Sequence, residues 1–275
     1  MAALLALLSS LVWGTADFLG GTLSRRRPAV AVLGGSQPFG LLAALASAVV
    51  LGQLQVDASA LVNGAIAGVF GLAGLVAFYT ALSTGRMGIV SPISSLGVVI
   101  PLGIGLLLGE APHPVQMMGV LVAVVGVVLA SGPELNGGAP VRPVVLAALA
   151  ALFFGMGIYF MAAGGQVNPA MTVVTMRVTQ VAILTGIALW RRSVGGLRPS
   201  DVPMLAITGI LDALANVLYT SAAGLGMLSL VSVLGSLFPN MTVVLAWWFH
   251  RERLQPVQYA GIAATVVGVV AITVG

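Results

Sequence analysis

Three charged residues, Asp17, Arg177 and Asp212, lie well inside long apolar stretches of the sequence. A charge at the centre of a bilayer costs at least about 2.5–3.5 kcal/mol, so each of these residues should face a cavity or an opposite charge. A buried carboxylate can carry a proton, and a guanidinium can bind a carboxylate through two hydrogen bonds. The three residues therefore predict a polar site within a membrane. Arg177 would either bind a substrate carboxylate or pair with Asp212 or Asp17.

Aromatic residues accompany the first of these charges. Trp13 precedes Asp17 by four residues, which places both side chains on one face of a helix. The equivalent position 141 residues later (154 − 13) is Phe154, and Tyr159 follows it. A cavity lined by Trp13, Phe154 and Tyr159 would suit an organic substrate with an apolar body. Alternatively, Trp13 lies at the membrane interface and Asp17 pairs with the arginines at 25–27.

A second polar face contains Asp212, Asn216 and Tyr219, spaced i, i+4 and i+7 along a predicted helix. Tyr79 is the counterpart of Tyr219 at an offset of 140 (219 − 79), and we expect the two tyrosines to face each other. Gln37 lies in the stretch that resembles the surroundings of Arg177. These residues complete the predicted substrate site, although hydrogen bonding between helices is an equally good interpretation of Asn216 and Tyr219.

Composition excludes several classes of function. Hydrophobic residues form 59% of the chain and charged residues 7%, whereas soluble domains have about 25% charge, so this is an integral membrane protein. The arginines are dispersed over loops, which argues against nucleic acid binding. Cysteine is absent, and His113 and His250 lack metal-ligand spacing. No phosphate loop or nucleophile motif is found. We therefore predict no catalytic residue, no metal and no cofactor.

Apolar segments of the length needed to cross a bilayer can be marked between polar breaks. They predict an all-α protein of ten transmembrane helices, with kinks expected at Pro38, Pro92, Pro101 and Pro239. The predicted helices cover residues 2–22, 29–52, 59–83, 88–109, 115–132, 143–163, 168–190, 202–224, 226–249 and 256–274.

An internal repeat divides these helices into two groups of five. Residues 110–128 and 252–270 are identical at ten of nineteen positions with an offset of 142 (252 − 110). We therefore predict two repeat units, residues 1–135 and 136–275, joined by a turn at 131–143. Glu110 and Glu252 begin the two copies and are expected to cap a helix or to close one face of a cavity.

Loop arginines predict the orientation. All ten follow odd-numbered helices, so these loops should be cytoplasmic and both termini outside, in a multi-pass protein of the inner (plasma) membrane. Because each unit has an odd number of helices, the second must be inverted relative to the first.

The segment LVWGTADFLG at 11–20, and the pattern GE(x)3PxQxxG at 109–119 with its partner at 252–261, resemble the drug/metabolite transporter superfamily, and its EamA-type members in particular. The resemblance covers nearly the whole chain. It implies a secondary transporter with a central cavity, a type that often exports amino acids, other metabolites or drugs.

The sequence therefore predicts a secondary active transporter of small organic molecules, expected to be an exporter and coupled to protons through Asp17 or, as the second candidate, Asp212. A uniporter or exchanger is the first alternative, and a membrane-embedded enzyme or a scaffold is the second. The expected partners are a small-molecule substrate and the lipid bilayer, with the chain acting as a monomer or a homodimer.

Overall fold

The computed structural model describes residues 1–85, 87–130, 141–193, 195–250 and 255–274, and the regular structure within these residues is entirely helical. Two short 3₁₀ turns lie at Leu96–Val98 and Pro199–Asp201. The α-helices are α1 Ala2–Ser24, α2 Ala29–Val50, α3 Ala58–Thr84, α4 Met87–Ser95, α5 Val99–Leu107, α6 Pro114–Ala130, α7 Val141–Gly165, α8 Pro169–Arg191, α9 Val202–Ala223, α10 Leu228–Gly235, α11 Phe238–His250 and α12 Pro256–Val274.

Helix starts follow local sequence signals. The Asp57 side chain accepts hydrogen bonds from the backbone N–H groups of Ser59 and Ala60 and so caps α3. Asn168 caps α8 in the same way by accepting from Met171 N–H, and Pro169 occupies the first turn, where its missing N–H costs nothing. These caps fix the boundaries of two long helices that surround the site.

Eight helical stretches within the described residues are long and apolar enough to cross a membrane. They are α1, α2, α3, α7, α8, α9 with its preceding turn, α10 with α11, and α12. The predicted helices 88–109 and 115–132 coincide with shorter apolar pieces, the α4–α5 region and α6. The protein is therefore a multi-pass membrane protein, and the count of ten spans stays a prediction.

The helices predicted at 88–109 and 226–249 are not continuous, which corrects the sequence analysis. The first is interrupted by the turn Leu96–Val98 and the second by Ser236–Leu237. Pro101 and Pro239 lie in the first turns of α5 and α11, where proline is favoured because no intrahelical N–H bond is needed. The prolines thus mark the start of a second helix at each break. Irregular backbone at membrane depth is tolerated where it is buried in protein or lines a cavity.

Several pairs of packed helices from different halves of the chain have a counterpart pair, in which each helix is replaced by the equivalent helix of the other half. Helix α3 packs along α7 as α1 packs along α9, and α2 packs on α9 as α3 packs on α8. Helices α6 and α12, which contain the repeated sequence, pack on each other. A Cβ atom added at Gly119 would lie 2.8 Å from the carbonyl oxygen of Gly268, and one added at Gly268 would lie 2.7 Å from that of Gly119. The repeated glycines therefore permit this close helix crossing.

Candidate functional site

A small cavity lies between α1, α3, α7, α8 and α9, beside both helix breaks. Its free volume is about 80 Å³, well below the roughly 300–1,000 Å³ of typical ligand pockets, so a substrate of ordinary size requires the helices around it to move apart. Gly97 and Ser236, one from each break, contribute to its wall. Six of the ten predicted substrate residues line it: Trp13, Asp17, Phe154, Arg177, Asp212 and Asn216.

Arg177 is at the centre of a polar network. Its side chain extends from α8 and is fully buried. Its Nη1 group donates hydrogen bonds to Asp212 Oδ2 at 2.9 Å, to Gln180 Oε1 at 3.0 Å and to Gln37 Oε1. Gln37 and Arg177 are 140 residues apart, so nearly equivalent positions of α2 and α8 contact each other directly. Of the two pairings that the sequence left open, the structure forms the one with Asp212.

The other side of the same guanidinium has no such partners. The Nε and Nη2 atoms of Arg177 are buried and make no hydrogen bond to any residue that the structure describes. A guanidinium carries five N–H donors in a plane, and its Nε and Nη2 edge matches the two oxygens of a carboxylate. Leaving a buried donor unsatisfied costs about 1–3 kcal/mol, and more for a charged group. Arg177 thus has a donor edge that is suited to an anionic group of a ligand.

The two candidate proton carriers have different surroundings. Asp212 is held by its neighbours: Oδ2 accepts from Arg177 and, at 3.5 Å, from Gln37 Nε2, while Oδ1 accepts from Asn216 Nδ2 at 3.1 Å. Asp17 lines the same cavity, is 8% exposed, and has no hydrogen bond or ion pair with the described part of the chain. Asp212 is therefore fixed in the network, whereas the Asp17 carboxyl group is available to a proton or a ligand.

The alternative interpretation of Trp13 and Asp17 does not match their placement. Arg27 forms an ion pair with Asp201 at 2.9 Å, and not with Asp17. Trp13 is half-buried at the cavity, with its ring centroid 5.5 Å from that of Tyr219. Both residues of the first predicted face of α1 therefore point towards the interior of the helix bundle.

Four predicted substrate residues do not line the cavity. Gln37 lies behind it as a partner of Arg177. Tyr79 is buried against Gly20 and Phe78, Tyr219 shares a hydrogen bond of 2.8 Å with Ser232, and the Tyr159 ring packs edge-on against Phe160. The expected pairing of Tyr79 with Tyr219 is not found, because each ring has other partners. The shape of a helix face alone could not distinguish these positions from the cavity wall.

Sequence reasoning missed other polar residues of the wall, namely Gln180, Ser94, Ser95 and Ser236. Gln180 follows Arg177 by three residues on the same helix face, so an intramembrane amide beside an intramembrane arginine was an available signal. The three serines carry no comparable signal, because single serines are common between packed membrane helices. Among the described residues, no cluster of His, Asp or Glu has the arrangement of a metal site.

The repeated corner residues also have defined partners. Both carboxylate oxygens of Glu110 accept hydrogen bonds from the start of α10, Oε1 from Leu228 N–H at 2.6 Å and Oε2 from Ser229 N–H at 2.8 Å. Helix α6, which follows Glu110, is capped instead by Gln116, and Gln258 caps α12 in the same manner. Glu110 therefore joins the two halves of the chain. Glu252 lies outside the described residues.

Comparisons with known proteins give consistent results. The EamA-like transporter family matches residues 1–132 and again residues 141–274. An uncharacterized protein of Methanocaldococcus jannaschii, MJ1333.1, is 24% identical over 131 residues, which are 48% of this chain and 96% of that protein. A solved crystal structure has a TM-score of 0.76 at 18% identity and covers 99% of this chain and 96% of its own, which shows a shared fold.

Proposed function

Since this chain belongs to the EamA-like transporter family, and is thus a membrane transporter of small molecules, we propose that it is a secondary active transporter of small organic anions and zwitterions. The observation that carries this proposal is that Arg177 lines a cavity while its buried Nε and Nη2 atoms lack a partner among the described residues. A substrate carboxylate would accept two hydrogen bonds there, while the pair with Asp212 holds the guanidinium in place.

The remaining wall supports an amphipathic substrate. Trp13 and Phe154 provide aromatic faces for an apolar body. The carboxyl group of Asp17, which has no partner among the described residues, could accept hydrogen bonds from an ammonium or hydroxyl group at the other end of the molecule. An amino acid or a related metabolite has this combination of groups.

Alternating access by two inverted five-helix units, residues 1–135 and 136–275, is the mechanism we propose. It is supported by the recurrence of helix pairs between the halves and by the two broken helices beside the cavity. Broken helices at the interface of repeats are common sites of substrate binding and movement in transporters. We further propose that the arginine-rich loops are cytoplasmic and both termini outside. Export across the plasma membrane is a separate part of the proposal, because orientation alone does not set the direction of transport.

Proton coupling would use Asp17. Burial favours the neutral form of a carboxyl group, and a nearby cation or water favours the charged form, so a change of access can bind and release a proton. Asp212 is less suited because Arg177, Gln37 and Asn216 hold its oxygens. The second candidate function is facilitated exchange without protons, in which Asp17 would only contact substrate.

Transport assays in proteoliposomes test the proposal. We expect uptake of amino acids and short organic acids, but not of the corresponding amides, because only a carboxylate can use the free edge of Arg177. Accumulation that depends on a pH gradient would indicate proton coupling, whereas exchange at equal pH alone would favour the second candidate. Equal transport of acids and amides would contradict the assignment of Arg177.

A pair of arginine variants sharpens this test. Arg177→Lys keeps the charge beside Asp212 but removes the planar edge, and the loss of one or two charged hydrogen bonds of about 1.5–3 kcal/mol each predicts at least a tenfold lower kcat/KM for carboxylates. Arg142→Lys is the matched control, because Arg142 is exposed at the start of α7. If both variants transport acids as the unaltered protein does, Arg177 does not bind the carboxylate.

The same proteoliposome assay distinguishes a transporter from a membrane-embedded enzyme and from a scaffold. An enzyme would release a chemically altered product from the same assay, and a scaffold would show neither flux nor saturable binding of small acids. Mass spectrometry of the liposome contents separates the first case from transport.

A further inference from the structure

A second and larger cavity lies between α2 and α8, at the end where α8 meets the arginine-containing loop. Its volume is about 860 Å³, which falls within the roughly 300–1,000 Å³ of pockets that hold drug-sized molecules. Exposed residues such as Pro38 and Leu189 form part of its wall, so it is a groove that opens on the molecular surface. Its described lining shares no residue with that of the cavity at Arg177, and Gln37, which lines this groove, is hydrogen-bonded to Arg177.

The walls and the mouth of this groove differ in chemistry. Its walls are formed mainly by small and aliphatic residues, among them Gly34, Gly35, Val181, Leu184 and Ala188. Its mouth contains two exposed guanidiniums, those of Arg191 and Arg192, at the end of α8. No acidic residue contributes to the described lining, so no carboxylate of the described groove wall balances the positive charge of the mouth.

We propose that this groove binds an anionic phospholipid, with an acyl chain between α2 and α8 and the phosphate at Arg191 and Arg192. An apolar wall offers water too few hydrogen-bond partners to hold it in an ordered site, and an acyl chain fills such a wall without an unpaired polar group. Basic residues beside a groove between membrane helices are a recurrent arrangement for anionic headgroups. The exposed Trp190 next to the two arginines is a residue type enriched at headgroup level.

The groove is a poorer match for the transported solute. Among the residues of its described lining, the only amide is that of Gln37, which is already engaged with Arg177 and Asp212. Arg191 and Arg192 lie at the surface. From there they would reach a lipid headgroup, but not a solute bound near Gln37. The proposal does not depend on which solute the protein transports.

Filling the groove is the first test. A Cβ atom added at Gly34 meets nothing within 4 Å, so Gly34→Leu should occupy the groove without disturbing the helices. Gly186→Leu is the matched control, because Gly186 also has open space, lies on α8 and is not part of the lining. Native mass spectrometry of protein from mixed micelles would count bound phosphatidylglycerol and phosphatidylcholine. We expect bound phosphatidylglycerol with the control and little or none with Gly34→Leu.

Charge removal is the second test. Each arginine near an anionic headgroup contributes about a fivefold increase in affinity. Arg191→Gln with Arg192→Gln should therefore lower the preference for phosphatidylglycerol over phosphatidylcholine by about 25-fold. Arg25→Gln with Arg142→Gln removes the same charge at two exposed positions outside the groove and should change the preference little.

Three results would overturn the proposal. The first is equal retention of the two lipids by the unaltered protein, and the second is undiminished phosphatidylglycerol binding by Gly34→Leu. The third is a Gly34→Leu variant that stops solute transport but keeps its bound lipid, which would identify the groove as a path for solute. Competition with inorganic phosphate is a further test. If phosphate displaces phosphatidylglycerol from the groove, the arginines alone form the site and the acyl chain is not bound, which contradicts the proposal.

Discussion

Glu110 provides the sharpest test of how the two halves work together. Its carboxylate belongs to the first half and accepts two backbone hydrogen bonds at the start of α10 in the second half. A contact between halves can be present in one conformation of a transporter and absent in the other. If so, Glu110 stabilises the conformation that is closed on this face, and its removal shifts the population towards the open one.

The size of the shift follows from the geometry. Glu110→Gln retains one oxygen, so one of two charge-assisted bonds is lost, at about 1.5–3 kcal/mol, together with a favourable interaction of about 0.3–1 kcal/mol with the helix dipole. A net loss of about 2 kcal/mol corresponds to a roughly 30-fold change in the equilibrium between closed and open states. We expect a lower transport rate, but the same choice of substrate.

Distance measurements between spin labels would report this shift. The chain has no cysteine, so spin labels would attach only to cysteines introduced as Leu107→Cys and Leu225→Cys. Both positions are exposed, and they lie on the two sides of the contact. Glu110→Gln should add a population at longer distance. Asp57→Ala is the control, because it removes a cap of about 0.5–2 kcal/mol within one half and should lower thermal stability without changing the distances.

An unchanged distance distribution in Glu110→Gln would refute this reasoning, and so would an equal change in Asp57→Ala. In the first case Glu110 would be a stabilising cap that is present in both conformations. A change of substrate preference in Glu110→Gln would also contradict the structural role.

Three further predictions concern coupling, folding and orientation. Asp17→Asn should abolish accumulation driven by a pH gradient while exchange at equal pH continues, and accumulation that persists would exclude Asp17 as the proton carrier. Asp212→Asn should lower the yield of folded protein relative to the unaltered chain, since removing one partner of a buried ion pair costs about 3–5 kcal/mol; normal yield would show that Gln37 and Gln180 suffice for Arg177. Single cysteines in the loop at 191–192 should react with impermeant reagents only from the cytoplasm, and a tag after Gly275 only from outside; the opposite labelling would reverse the orientation and leave the fold unaffected.

Much of the fold follows from physical rules that act locally. A long apolar stretch must form a helix in a bilayer because its backbone groups have no other partner, and this rule placed the long helices within a few residues of their observed bounds. The two breaks were not predicted. The sequence predicts kinks at Pro101 and Pro239, since a proline in an apolar stretch can bend a helix or start a new one, and only the packing around it decides.

The charged residues of the site could be predicted, because the free-energy cost of placing a charge in a membrane can be estimated from the sequence. This cost identifies Asp17, Arg177 and Asp212 as candidate site residues, and all three line the cavity. Partners were harder to predict, because they depend on tertiary contacts. Glu110 illustrates this limit: its position predicts either a helix cap or a contact that closes one face of a cavity, and only the structure shows that its carboxylate accepts from the start of a helix more than a hundred residues away.

The contact between Gln37 and Arg177 has a consequence for how such a site can arise. Two residues at nearly equivalent places in a repeated structure can contact each other only near the axis that relates the copies. In an assembly of two identical half-length chains, that position would hold the same residue twice, and two guanidiniums so close together would repel each other. A single chain that contains both copies can keep arginine in one and glutamine in the other. Fusion of the halves therefore permits a cavity with a definite polarity, as the proposed binding of one anionic group in one orientation requires. The match to the Methanocaldococcus jannaschii protein covers 96% of that protein but 48% of this chain, which is the length of one copy.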